Sequence, residues 1–258
     1  MHRCFCFGAG FPLSSRPIGN SMTVQAVILA AGMGTRLARP HPKALTPLAD
    51  GRTIMTQQVD NLRHAFGEQL RLTIVVGYKL EQIMEHVPDA SFVYNEAYDQ
   101  TNTSKSLLKA LRNSADGGVL WMNGDVVFDP EMLAYLARYV ENDVSFCAVD
   151  TSVVSDEEVK YTVTTHGYIR ELSKAVENGL GEAVGVNYVG SMDKAALIRR
   201  LSHVDDQEYF EGGIVETIER DGLRWAPVDI SNYYAVEVDF AEDLVRANEE
   251  LVVSQNID

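Results

Sequence analysis

The chain has 258 residues, 46% of them hydrophobic, enough to bury the core of one large α/β domain or of a core with an added lobe. Its 37 acidic against 22 basic residues give a formal net charge of −15, which argues against nucleic acid or an anionic membrane as partner, because both need a basic footprint. No apolar run approaches the ~20 residues that span a bilayer, so a soluble protein with no membrane partner is expected.

Residues 1–21, MHRCFCFGAGFPLSSRPIGNS, hold two of the three cysteines and lack the patterning that follows. A short basic start and an apolar patch are signal-peptide features, but Pro12 interrupts the patch and Met22 can serve as initiator, so the stretch is read as a disordered extension. Cys147, in the apolar run VSFCAV, reads as a buried small hydrophobe, and one core thiol fits a reducing cytoplasm.

In chain order, VQAVILA (24–30) is a nearly all-apolar run that suits a strand buried on both faces of a parallel sheet. Met55, Val59, Leu62 and Phe66 form a helical stripe; LTIVVGY predicts a strand, KLEQIMEHV a helix and SFVYN a strand, the βαβ alternation. A helix over KSLLKALRN, a strand in GGVLWMNGD and a helix over 130–139 follow, the last with Asp129 as N-cap and Pro130 at its first position. After VSFCAV the texture changes: KYTVTTHGYIREL predicts two strands around a His-Gly turn, and VGVNYV another. Helices over DKAALIRRL and FEGGIVETIER, strands near LRWAPVD and YYAVEV, and a helix from about Phe240 to Leu251 complete the pattern. The expected fold is α/β: a Rossmann-like three-layer α/β/α arrangement on a mostly parallel mixed sheet. It is expected as a single domain over 22–258, with a first half (22–150) that supplies the Rossmann-like core, a lid or acceptor lobe (151–235) and a last strand and helix (236–258).

The stretch AAGMGTRLARPHPK (30–43) lies where ligands bind in such sheets, outside the carboxyl end of the first strand. Gly32 and Gly34 would let backbone N–H groups approach a phosphate, or serve only as a tight turn. Leu37 stands where G-x-G-x-x-G needs its third glycine, and no G-K-[ST] ends a Walker loop. Thr35, Arg36, Arg39, His41 and Lys43 cluster a hydroxyl and three fixed positive charges in an acidic chain, as a triphosphate requires.

VILAAGMGTRL…PKAL resembles the signature of the nucleotidyltransferases, a family of sugar-phosphate nucleotidyltransferases and of phosphocholine, inositol-phosphate and phosphonate cytidylyltransferases. The resemblance runs from Val24 to Leu251, with ARPHP shorter than the corresponding family segment. It implies that Leu29, Ala30, Ala31, Gly32, Met33, Gly34, Thr35 and Arg36 wrap a nucleoside triphosphate, that Arg36 and Lys43 meet its phosphates, and that Gly77 and Tyr78 flank it. YNEAYDQTNTSKSL resembles the segment that reads cytosine, through Asn95, Glu96, Tyr98, Thr101, Asn102, Ser106 and Leu107, with Thr103 beside them. Such uncharged side chains can donate and accept at a base edge, or merely cap the helix that starts near Ser104. CTP is the expected nucleotide; UTP and dTTP stay open.

Asp125, just past an apolar strand, and Glu237 with Asp239, alternating in AVEVDFAED, are the separated carboxylates that the resemblance makes the positions of Mg²⁺. Asp239 alternatively opens a capping box with Glu242. Lys160, Lys174 and GEAVGVNY, with Glu182, Gly185 and Asn187, resemble the acceptor side of the phosphonate-activating branch. The implied reaction attaches CMP to a small anionic phosphonate or phosphate, phosphonoformate among them, with Arg36, Lys43 and Asp125 as the catalytic set. A sugar-1-phosphate nucleotidyltransferase, a phosphocholine or inositol-phosphate enzyme and a non-catalytic nucleotide-binding regulator are the alternatives. The state is expected to be monomer or homodimer.

Overall fold

The computed structural model describes residues 23–34, 39–152, 154–155 and 158–255. Thr35, Arg36 and the expected extension lie outside the described residues. Eleven strands and seven α-helices are formed within them. The main sheet has the strand order β10-β6-β9-β4-β1-β2-β3, where β1 is Val24–Ala30, β2 Leu70–Val76, β3 Ser91–Tyr94, β4 Val119–Asn123, β6 Phe146–Asp150, β9 Glu182–Val189 and β10 Ala226–Asp229. β1 pairs parallel with β2 and β4, β2 with β3, and β10 with β6. β9 runs antiparallel between β4 and β6. Along this path the sheet is therefore mixed and mostly parallel, as expected, with β9 the antiparallel strand within it.

The two-faced burial of β1 follows from its composition. Ala26, Ile28 and Ala30 enter one apolar layer, with Met55, Val59 and Leu62 of α1 (Ile54–Phe66) and Leu133 and Leu136 of α4 (Pro130–Glu141). Val27 and Leu29 enter the other, with Leu107 and Leu111 of α3 (Thr103–Asn113), Leu197 and Leu201 of α5 (Lys194–Leu201), and Phe210 and Ile214 of α6 (Phe210–Asp221). Successive strand side chains face opposite ways, so an unbroken apolar run fills both layers. Trp121 of β4 anchors the second layer edge-on to Phe210 and Trp225, with centroids 5.6 and 6.1 Å away. Helix α2 (Leu80–His86) joins β2 to β3.

Asp129 caps α4, accepting from Glu131 N at 2.9 Å. The His-Gly turn joins β7 (Lys160–Val163) to β8 (Ile169–Ser173). A short strand, β5 (Val126–Phe128), goes beyond the expected elements; it pairs antiparallel with β11 (Ala235–Glu237). Helix α7 (Ala241–Gln255) folds back on this pair, burying Ala247 and Leu251 against Val127 and Val236. Its first turn is fixed otherwise than by the expected capping box: Asp239 N and Phe240 N both donate to Asp243 Oδ2, at 3.0 and 2.8 Å, so Asp243 rather than Glu242 closes the turn. With α7 starting at Ala241, it is Asp243 that occupies the third helical position from which a side chain reaches back.

Candidate active site

A cleft of about 230 Å³ opens at the carboxyl ends of β1 and β4 and the start of β9. Leu29, Ala30, Gly32 and Gly34 form one lip of it, and Lys43 lines it beneath them. Gly34 has φ of +58°, and a Cβ there would stand 2.7 Å from Lys43 Cβ, so only glycine lets the lysine stem pass beneath the loop. Lys43 itself opens a 3₁₀ turn (Lys43–Leu45) that follows Pro42 and is pinned by buried Ala44.

Two stretches of chain far apart in sequence converge on Lys43. Its Nζ lies 2.6 Å from Asp125 Oδ2 and also contacts Asp239 Oδ1. Burial alone would lower the ammonium pKa, but Asp125 and Asp239 raise it above the ordinary lysine value. The β5–β11 ladder makes this meeting: Glu237 pairs with Val126, beside Asp125, and Val238 N donates to Asp125 O at 2.9 Å. Polar side chains buried on α1 hold the other side of the turn. Gln58 Nε2 donates to Asn123 O and Val126 O at 2.8 and 2.9 Å, and Gln57 and Asn61 donate to Phe128 O. Glu237 lines the same cleft, and Asp239 reaches it from just beyond the end of β11.

The acidic group can take a cation. Asp125 Oδ1 is buried with no hydrogen-bond partner. Burial pushes the Glu237 carboxyl well above the carboxylate range, and Asp125, Glu158 and Asp239 push it further against the pull of Lys43. No three acidic, histidine or cysteine side chains among the described residues form a preformed metal cage. The fit is to Mg²⁺, which takes one or two carboxylates and completes its shell from substrate phosphates and water.

The sequence from 26 to 195 matches the model of the MobA-like NTP transferase domain. The chain belongs to this family. The chain is 36% identical to a CMP-5'-(3-aminopropyl)phosphonate synthase of Streptomyces rubellomurinus over 89% of its own length and 39% of that protein. It is 32% identical to a UTP–glucose-1-phosphate uridylyltransferase of Haloferax volcanii over 60% of its own length and 65% of the relative. The chain spans less than two thirds of either curated relative. Among solved structures, a CTP:phosphocholine cytidylyltransferase from Streptococcus pneumoniae superposes with a TM-score of 0.70 at 21% identity, covering 89% of this chain and 100% of that one. An inositol-1-phosphate CTP transferase from T. maritima gives 0.73 at 17% identity, covering 90% and 96%. These likenesses establish the Rossmann-like nucleotidyltransferase fold.

In this NTP transferase domain the expected site residues divide. Lys43, Asp125, Lys174, Gly185, Glu237 and Asp239 share the cleft with Leu29, Ala30, Gly32, Gly34 and Thr103. Arg39 is exposed and Met33 44% exposed, outside the lining. Gly77 and Tyr78 back the loop from outside: Tyr78 N donates to Ala31 O at 3.0 Å, and a Cβ on Gly77 would strike Ala31 O. The 95–106 segment is largely bonded to itself, Asn95 Nδ2 donating to Thr101 Oγ1 and Ser106 Oγ, each at 3.1 Å. Asn102 caps α3 through Thr103 N, and its backbone N–H donates to Asp206 O at 2.8 Å.

Of the residues expected to meet an acceptor, Gly185 has φ of +71° within the register shift between β6 and β9, and a Cβ there would meet Asn123 Nδ2 at 2.8 Å. Glu182 lines an adjoining cleft and accepts from Ser155 N at 3.1 Å. Lys160 lies on β7 outside the lining, and Asn187 is 2% exposed within the sheet, opposite Trp121 and Cys147. Glu158, Tyr209, Phe210 and Glu211 complete the cleft wall without having been singled out in the sequence. The one sequence signal for the last group is the glycine pair after it. A Cβ on Gly213 would stand 2.4 Å from Leu201 Cδ2, so α6 packs tightly on α5 and seats its first turn against the cleft.

Proposed function

We propose that the chain transfers CMP from CTP to a small phosphonate or phosphate acceptor and releases pyrophosphate, in a Mg²⁺-dependent reaction of phosphonate biosynthesis. The observation that carries this reading is Lys43 held between Asp125 and Asp239 beneath Gly34, in one cleft with Lys174. A triphosphate at the glycine lip and an anionic acceptor at Lys174 would face each other across the carboxylates. The name of the Streptomyces relative, a CMP-phosphonate synthase, supports this acceptor class, and the likeness of 94–107 to a cytosine-reading segment supports the base.

An acceptor phosphonate or phosphate oxygen is already ionised near pH 7, so it needs no general base. The oxygen attacks the α-phosphorus of CTP, a new P–O bond forms there, and the bond to the β-phosphate oxygen breaks to release pyrophosphate. What remains for the protein is in-line positioning and offsetting the charge of the leaving group. Lys43 and Arg36 supply positive charge on the triphosphate side, and Lys174 orients the acceptor. Mg²⁺, held by Asp125 with Glu237 and Asp239, would supply further neutralisation of phosphate charge.

A pyrophosphate-release screen crossing CTP, UTP, dTTP and ATP with phosphonate, phosphocholine and hexose-1-phosphate acceptors, with and without Mg²⁺, tests the reading. Release is expected with CTP and a phosphonate in the presence of Mg²⁺. Release restricted to UTP or dTTP with a hexose phosphate assigns the sugar-nucleotide reaction instead, and no release with any pair removes the transferase reading.

A further inference from the structure

The chemistry above leaves two carboxyls of the cleft unused, Glu158 and Glu211. Glu211 stands in the first turn of α6, is 8% exposed and lines the cleft. Its Oε2 is buried with no hydrogen-bond partner. A buried carboxyl oxygen left without a donor costs free energy that a bound donor recovers. Burial pushes this carboxyl up to about 7, with Lys174 pulling it down and Glu208 pushing it up.

The charge around it is unbalanced. Lys174 is electrostatically shared, since it lowers the pKa of both Glu211 and Glu158, and its ammonium sits 5.7 Å from the centroid of the Tyr209 ring. Two carboxyls and one lysine leave this flank of the cleft able to accept one more positive charge. The orphan oxygen also discriminates between cations. A primary ammonium has N–H groups to give it, whereas a quaternary ammonium has none and is held by aromatic faces alone.

We infer that Glu211 is the binding site for a primary ammonium at the far end of the acceptor, so that the substrate class is an ω-amino phosphonate or phosphate. This rests on the transferase reading for its second half, the phosphoryl end presented toward Lys43 and Asp125. The ammonium end lies against Glu211 Oε2, on the flank of the cleft that Tyr209 and Lys174 also line.

The test uses the full chain and matched acceptors: 3-aminopropylphosphonate against propylphosphonate, and 2-aminoethylphosphonate against ethylphosphonate, with CTP and Mg²⁺. The wild type is expected to show a KM lower by about tenfold or more for the amino member of a pair, as a desolvated charge-assisted hydrogen bond gives. In Glu211→Gln that ratio falls toward one. Equal KM values within both pairs for the wild type overturn the inference, and this comparison holds even if the variant does not fold. A ratio that survives intact in a folded Glu211→Gln overturns it as well. Calorimetric titration of 3-aminopropylphosphonate and propylphosphonate into both proteins separates the two readings. If no acceptor releases pyrophosphate the transferase reading fails, while tighter binding of the amine that is lost in Glu211→Gln still supports the site and its absence overturns it.

Discussion

At Lys43 one ammonium serves two carboxylates, which hold its pKa above the ordinary lysine value against the pull of burial; the side chain is 13% exposed. Lys43→Ala and Asp125→Ala are each expected to lower turnover by about 10² to 10³, the usual cost of removing a group that stabilises charge developing in the transition state. Single-turnover pyrophosphate release measures it, and near wild-type release from either variant removes that residue from the reaction. Glu211 makes a prediction of another kind, about stability. Its folded pKa, raised to about 7 mainly by burial, lies above the unfolded carboxyl value. The folded state therefore holds the proton more tightly: its contribution is present below about pH 4.5 and is lost as pH rises toward 7, a change on the order of a few kcal/mol. Melting temperature followed from pH 5 to 8 should fall less for Glu211→Gln than for the wild type, and parallel curves would place the titration elsewhere. Lys43 could be picked out because a cluster of positive charge in an acidic chain is visible along the sequence, and Asp125 and Asp239 through the resemblance of their segments to the nucleotidyltransferases. Glu211 could not, since its burial comes from α6 seating on α5 and the cleft, a tertiary event. Asn187 is the converse: its place in GEAVGVNY suggests the acceptor, yet strand alternation turns it into the sheet between Trp121 and Cys147.

Among the elements, the glycine lip and the β5–β11 ladder set the site. Gly34→Ala combines a positive φ of 58° with a Cβ 2.7 Å from Lys43 Cβ. It should cost about 1–3 kcal/mol of stability and displace Lys43, so that chemical denaturation and turnover both suffer. An unchanged unfolding midpoint would mean that the loop relaxes freely. The regular elements were legible because each carries its own period: the two-faced run of β1, the stripe of α1, the Asp129-Pro130 start of α4. β5 was not, because three apolar residues after a Gly-Asp turn carry no period; its strand character depends on β11, more than a hundred residues later. The 95–106 segment was legible as a polar loop beside the site. What sequence could not separate is which amides are used up internally, as Asn95 is on Thr101 and Ser106.

Across the molecule, residues 22–150 and 151–235 supply different sides of one cleft but do not make separate sheets. Among the described strands, β6, in the first half, pairs with β9 and β10 of the second, and β9 is the strand that joins β6 to β4. A fragment ending at residue 150 should thus leave β6 unprotected in hydrogen exchange and the β4 edge open to self-association, visible by sedimentation. A monomeric fragment with β6 amides protected would contradict it. For a chain growing from its N-terminus, the antiparallel β9 also sets a timetable. Strands β1, β2, β3 and β4 emerge first and wait with an unpaired edge at β4 until Val189 has been added, and the cleft is complete only when Glu211, Glu237 and Asp239 have followed.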